Sequence, residues 1–151
     1  MNGDRWEHFA PEGCLGLRGV GSSKERAFEQ VGLALTATMI DPASVRPQGR
    51  EEIHCSAPDD ERLLLAWIET LLGRMAVQHL LFGQYRVRIG PQGLQATALG
   101  EPLDPRGLDP RLDLHRVFCE QLRLIRGPAE DWRAEVILRP RGLAEADDGG
   151  S

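Results

Sequence analysis

The chain has 151 residues, 18 basic against 23 acidic side chains, and a formal net charge of −5. That length suits a single domain with a real core, and the acidic balance argues against independent binding to nucleic acid, which needs a basic footprint. No apolar run approaches the ~20 residues of a membrane span, and the polar, acidic start MNGDRWEHFAPEG does not read as a secretory leader.

Cysteines at 14, 55 and 119 are odd in number and form no C-x-x-C pair. Neither a disulfide framework nor a zinc site is indicated, and a reducing cytoplasm is expected. Lys24 is the sole lysine, placed in the first turn of an expected helix and therefore expected at the solvated surface; every other basic side chain is arginine.

In chain order, residues 1–7 read as a loose end, as do the small and acidic residues 141–151. Cys14–Val20 alternates weakly and reads as a strand. Ser22-Ser23-Lys24-Glu25 has the form of a capping box, in which a serine oxygen accepts a backbone N–H and Glu25 reaches back. Phe28, Val31, Leu35 and Met39 then recur at helical spacing up to Asp41-Pro42. Glu51–Cys55 is a second expected strand. Ser56-Ala57-Pro58-Asp59 opens a second helix, with Leu64, Trp67, Ile68, Leu71 and Met75 along one face.

After Gly83 the period changes to two. Tyr85, Val87 and Ile89 alternate with Arg86 and Arg88, then Gly90-Pro91-Gln92-Gly93 turns the chain into Leu94–Leu99, giving a hairpin. Leu112–Phe118 and Leu122–Ile125 are two further expected strands. Arg126-Gly127-Pro128 is a turn before a final strand in which Trp132, Ala134, Val136 and Leu138 alternate with Arg133, Glu135, Ile137 and Arg139. Two helices on a largely antiparallel β-sheet make an α+β domain.

Few residues suggest chemistry on their own. His8 and Cys14 could form a base–nucleophile pair, without an evident third group to orient them. His54 and Cys55 are neighbours in an expected strand and point to opposite faces. Gly19-Val20-Gly21-Ser22-Ser23 lacks the lysine and length of a phosphate-binding loop.

Three stretches carry a family likeness: WEHFAPEGCLGLRGVGSSKERAFEQVGLALTATMIDP at 6–42, GEPLDPRGLDP at 100–110 and DWRAEVILRP at 131–140. Their order, spacing and glycine, tryptophan and proline positions resemble archease, the small accessory protein of the RtcB-type RNA ligase. The resemblance covers residues 6–140, taken as the domain, with 1–5 and 141–151 as flexible ends. It implies an α+β fold with two helices on a largely antiparallel sheet.

The resemblance also implies a calcium or other divalent site built from two aspartates and a backbone oxygen, the oxygen-rich shell a hard cation needs. Those positions fall here on Cys14, Arg139 and Pro140, with Glu12 as a nearby carboxylate. A thiol and a guanidinium do not hold calcium, so the expectation is a degenerate site without a cofactor, with Arg139 occupying the space and charge of the cation. The family's lysine in the strand after the GEPLD stretch falls on His115, and Leu108 stands where the family often has histidine. His8, Glu12, Glu101, Asp104 and His115 are the candidate partner-contact residues. Glycine and proline in Gly100-Glu101-Pro102 should force a turn that presents Glu101.

The expected function is non-enzymatic binding and modulation of an RtcB-type RNA ligase in tRNA splicing or RNA repair. The alternatives are an archease-fold binding or chaperone-like module with another protein partner, and a thiol enzyme built on Cys14.

Overall fold

The structure is a computed structural model and describes residues 3–9, 14–102 and 117–140. It is an α+β fold. The elements run β1 (Arg5–Phe9), β2 (Leu15–Gly21), α1 (Lys24–Thr36), a 3-10 turn (Pro42–Ser44), β3 (Gly49–Cys55), α2 (Asp60–Val77), β4 (Leu80–Gly90), β5 (Gly93–Pro102), β6 (Val117–Arg126) and β7 (Trp132–Pro140). The strands form two sheets, ordered β1-β2-β7-β6 and β3-β5-β4, with every described pairing antiparallel.

One continuous core joins the helices to both sheets. Phe28, Val31 and Leu35 of α1 and Leu64, Trp67, Ile68 and Leu71 of α2 meet Leu17, Val136 and Leu138 of one sheet and Phe82, Tyr85 and Leu94 of the other. The helical spacing seen in the sequence is therefore the spacing of the buried stripe. Two buried polar links fix the register of these layers. The Trp67 indole N–H donates to the Phe28 carbonyl at 2.9 Å. The Thr36 hydroxyl donates to the Phe82 carbonyl at 2.7 Å and lies 3.1 Å from the Tyr85 hydroxyl.

Four details differ from the sequence reading. Residues 5–7 are not loose: β1 pairs with β2 from Arg5↔Val20 to Phe9↔Gly16. The cap of α1 is Ser23, whose hydroxyl accepts the Arg26 N–H at 3.2 Å. Glu25 thus sits one position short of the capping-box partner, and Asp4 takes the Ser22 N–H instead. The two strands expected around residue 120 are, over the described residues, one strand β6 whose register slips between Cys119 and Gln121; residues 112–116 lie outside the described residues. A bulge makes one strand read as two because the extra residue breaks the alternation. Finally, Gly100-Glu101-Pro102 is not a turn but the paired end of β5, opposite Phe82, Leu81 and Leu80.

Candidate functional site

The register of β2 and β7 brings together Cys14 and Arg139, the positions onto which the resemblance would place a pair of aspartates. Leu15 pairs with Leu138, so Cys14, one residue before, and Arg139, one residue after, fall at adjoining strand ends. Cys14 is 9% exposed, Arg139 is half-buried, and each engages another group of the protein. Pro140 ends β7, where its backbone pairs with Val117. Among the described residues the side chains here offer one soft sulfur and one cation, a donor set that does not fit calcium. Among the described residues no group of three or more His, Cys, Asp and Glu side chains could hold a metal ion. Glu12, Asp104 and His115 lie outside the described residues.

His8 and Cys14 are not brought together. His8 stands opposite Leu17 in the β1–β2 ladder, three residues along from Cys14, or roughly 10 Å at strand rise. Its Nε2 lies 2.7 Å from the Ala34 carbonyl near the end of α1. The histidine ties β1 to the helix it covers. The Cys119 thiol is pushed up to about 12 by burial and then by the nearby Glu69 carboxylate, so it stays protonated at neutral pH and is a poor nucleophile. His54 is exposed and Cys55 buried, as strand alternation requires.

Glu101 holds two segments together. Its carboxylate accepts the Arg46 backbone N–H at 2.9 Å, closing β5 onto the connection that leads into β3. Next to it, Gly100 lies so close to the β4 backbone that a Cβ would collide with the Leu81 carbonyl. Gln48, Leu80, Phe82 and Pro102 line a cleft of ≈ 300 Å³ beside them.

Lys24 is less free than a first-turn surface position suggests. Its amine is 2.7 Å from Asp60 at the start of α2 and 5.2 Å from the centre of the Trp132 ring, with the Arg126 guanidinium also 4.9 Å from that ring's centre. The joint links both helices to the β6–β7 hairpin.

One charged surface was not singled out in the sequence. The solvent face of β3-β5-β4 carries Arg50, Arg86 and Arg88. Registers Arg86↔Thr97↔Glu52 and Arg88↔Gln95↔His54 set them in cross-strand rows. Arg50 lies 2.7 Å from Glu52, which also takes the Thr97 hydroxyl and whose carboxyl is held below its ordinary value by the Arg50 contact. The period-two arginines at 86 and 88 were the visible signal; their alignment with Arg50 required the β3–β5 register.

The Archease protein family (MTH1598/TM1083) model matches residues 6–138. The protein archease of Thermococcus gammatolerans is 34% identical over 137 residues, covering 88% of this chain and 96% of the relative. That of Thermococcus kodakarensis is 31% identical with the same coverage, and that of Sulfurisphaera tokodaii 32% identical, covering 80% of this chain and 88% of the relative. The solution structure of Methanobacterium thermoautotrophicum protein 1598 has the same fold, with a TM-score of 0.65 at 22% identity over 88% of this chain and 96% of that one. Helices, sheets and sequence agree along nearly the whole chain, which belongs to the archease family.

Proposed function

We propose that this protein is a non-enzymatic accessory of an RtcB-type RNA ligase, acting in tRNA splicing or RNA repair in the cytoplasm through protein contact rather than by binding RNA itself. The observation that carries the reading is the family match over residues 6–138; the net charge of −5 favours a protein route to RNA chemistry over a direct one. The contact residues proposed are His8, Glu12, Glu101, Asp104 and His115.

The Cys14–Arg139 pair alters how such an accessory works. Arg139 brings a fixed positive charge to the position where the family resemblance puts a carboxylate and its cation. A guanidinium can neutralise and orient carboxylates or phosphates on a partner, but it does not exchange ligands as a cation does. The same replacement favours a second reading, an archease scaffold serving a different protein partner.

Guanylylation of the host's RtcB-type ligase, measured over multiple turnovers with and without the protein, tests both. Stimulation is the expected result. A stable complex without stimulation would leave docking alone, and neither binding nor stimulation would overturn the ligase reading in favour of the second.

A further inference from the structure

The outer face of β3-β5-β4 has the chemistry of a docking surface. Arg86 and Arg88 are exposed and two residues apart on one strand, so they emerge on the same face about 6.6–7 Å apart. Arg50 is engaged by Glu52. Arg86 and Arg88, by contrast, have no carboxylate within ion-pair distance among the described residues, although the chain carries more acidic than basic groups. Two adjoining depressions of ≈ 290 and ≈ 320 Å³ share Arg50, Arg86 and Thr97 as walls. Gln84 and Gln95 add neutral donors and acceptors within them.

We propose that this face docks an extended acidic segment of a protein partner, with carboxylates at alternate residues meeting Arg86 and Arg88. An extended chain repeats its side chains on one side every two residues, the same interval as the two arginines. Each guanidinium presents a planar fork that matches a carboxylate with two parallel hydrogen bonds. Thr97 and Gln95, between the rows, can bond the neutral residues or the backbone of the segment.

Charge range separates a short acidic peptide from RNA. The patch holds a few positive groups in a chain of net charge −5. A segment bearing two or three carboxylates is confined to the patch, and acidic groups beyond about 8 Å are screened from it at physiological salt. A nucleic acid strand runs past the patch onto the acidic remainder and is repelled there. The surface does not depend on the partner being a ligase.

The test is a titration of the isotope-labelled full chain with a synthetic peptide of alternating glutamate and threonine, followed by backbone amide shifts. Alternating glutamine and threonine, and single-stranded oligouridine, serve as comparison probes. The expected result is shifts confined to β3, β4 and β5 with the glutamate peptide alone, weakening as salt rises. The Arg86→Gln/Arg88→Gln double variant should bind at least about tenfold more weakly, with its amide spectrum otherwise retained because both side chains are exposed. Absence of shifts on this face, equal binding of the glutamine peptide, or unchanged affinity in the double variant would overturn the proposal. Tighter binding of oligouridine at the same amides would overturn it in favour of nucleic acid.

Discussion

The carboxylate of Glu29, in the middle of α1, accepts the backbone N–H of Val87 on β4 at 2.9 Å. Among the described residues Val87 lies on an edge strand, because β4 pairs there with β5 alone. Edge amides that face away from the ladder need a partner or become a template for another chain. The helix supplies one, and Arg26 holds the same carboxylate through both oxygens at 2.7 and 2.8 Å. Glu29 is 7% exposed, so the charge is buried but answered twice.

Replacing Glu29 with alanine should therefore cost about 2–3 kcal/mol, since a buried donor loses a charged acceptor. Glu29→Gln keeps an acceptor for Val87 and should cost about half as much. Urea unfolding of the three proteins measures this, and equal stability of the alanine variant and the parent would refute the role.

Two acidic protons are held tightly in the folded state. Burial raises the Tyr85 hydroxyl well above its ordinary 10.0, against the opposing contact from Thr36, and burial pushes the Cys119 thiol from 9.0 up to about 12. The unfolded chain loses both protons first, so it binds fewer protons at alkaline pH and stability falls as pH rises. The contribution is intact below pH 9 and declines above pH 9 for Cys119 and above pH 10 for Tyr85. Unfolding midpoints should drop as pH rises above 9, and Tyr85→Phe should flatten the part of the slope above pH 10.

Glycines at 73 and 100 should respond in opposite directions to the same added methyl. At Gly100 a Cβ would collide with the Leu81 carbonyl and come within 2.9 Å of the Phe82 Cα, backbone atoms that cannot swing aside. Gly100→Ala should cost about 2–3 kcal/mol and loosen the Glu101–Arg46 bond. At Gly73, inside α2, nothing lies within 4 Å, so Gly73→Ala should add about 0.5–1 kcal/mol by helix propensity. Thermal melts of the pair would show the divergence, or its absence.

Placing aspartates at 14 and 139, where the resemblance would put them, gives a direct test of these strand ends. In the Cys14→Asp/Arg139→Asp double variant, two carboxylates would stand at the adjoining ends of β2 and β7, with the Pro140 carbonyl beside them. A calcium-dependent rise in melting temperature is expected there and not in the parent protein, reaching about 2.7 kcal/mol at a hundredfold excess over Kd. No calcium response in the double variant would mean that those positions do not form a cation site in this chain.

Much of the fold was legible because it rests on local periodicity. The spacing of Phe28, Val31 and Leu35 and the alternation from Trp132 to Leu138 each identified an element and its buried face. Errors arose where pairing partners decide. Arg5–Glu7 looks polar and loose alone and becomes a strand because β2 offers an open edge. Gly100-Glu101-Pro102 has turn composition, yet β4 runs alongside and needs the glycine for its approach. For the site, the resemblance singled out Cys14 and Arg139, and the β2–β7 register sets them at adjoining strand ends. The tether between Glu101 and Arg46 spans 55 residues, and no sequence spacing announces it.

The Lys24 joint has a consequence for chemical modification. An amine-directed reagent finds a single lysine side chain in this protein, and that amine is already committed to Asp60 and the face of Trp132. Acetylating it would delete a charge and two contacts at once, parting the first turn of α1 from Asp60 of α2 and from the Trp132 indole. Surface immobilisation, crosslinking or labelling through lysine would thus report on a perturbed molecule, and a probe attached through an introduced cysteine on the far sheet would leave that corner intact.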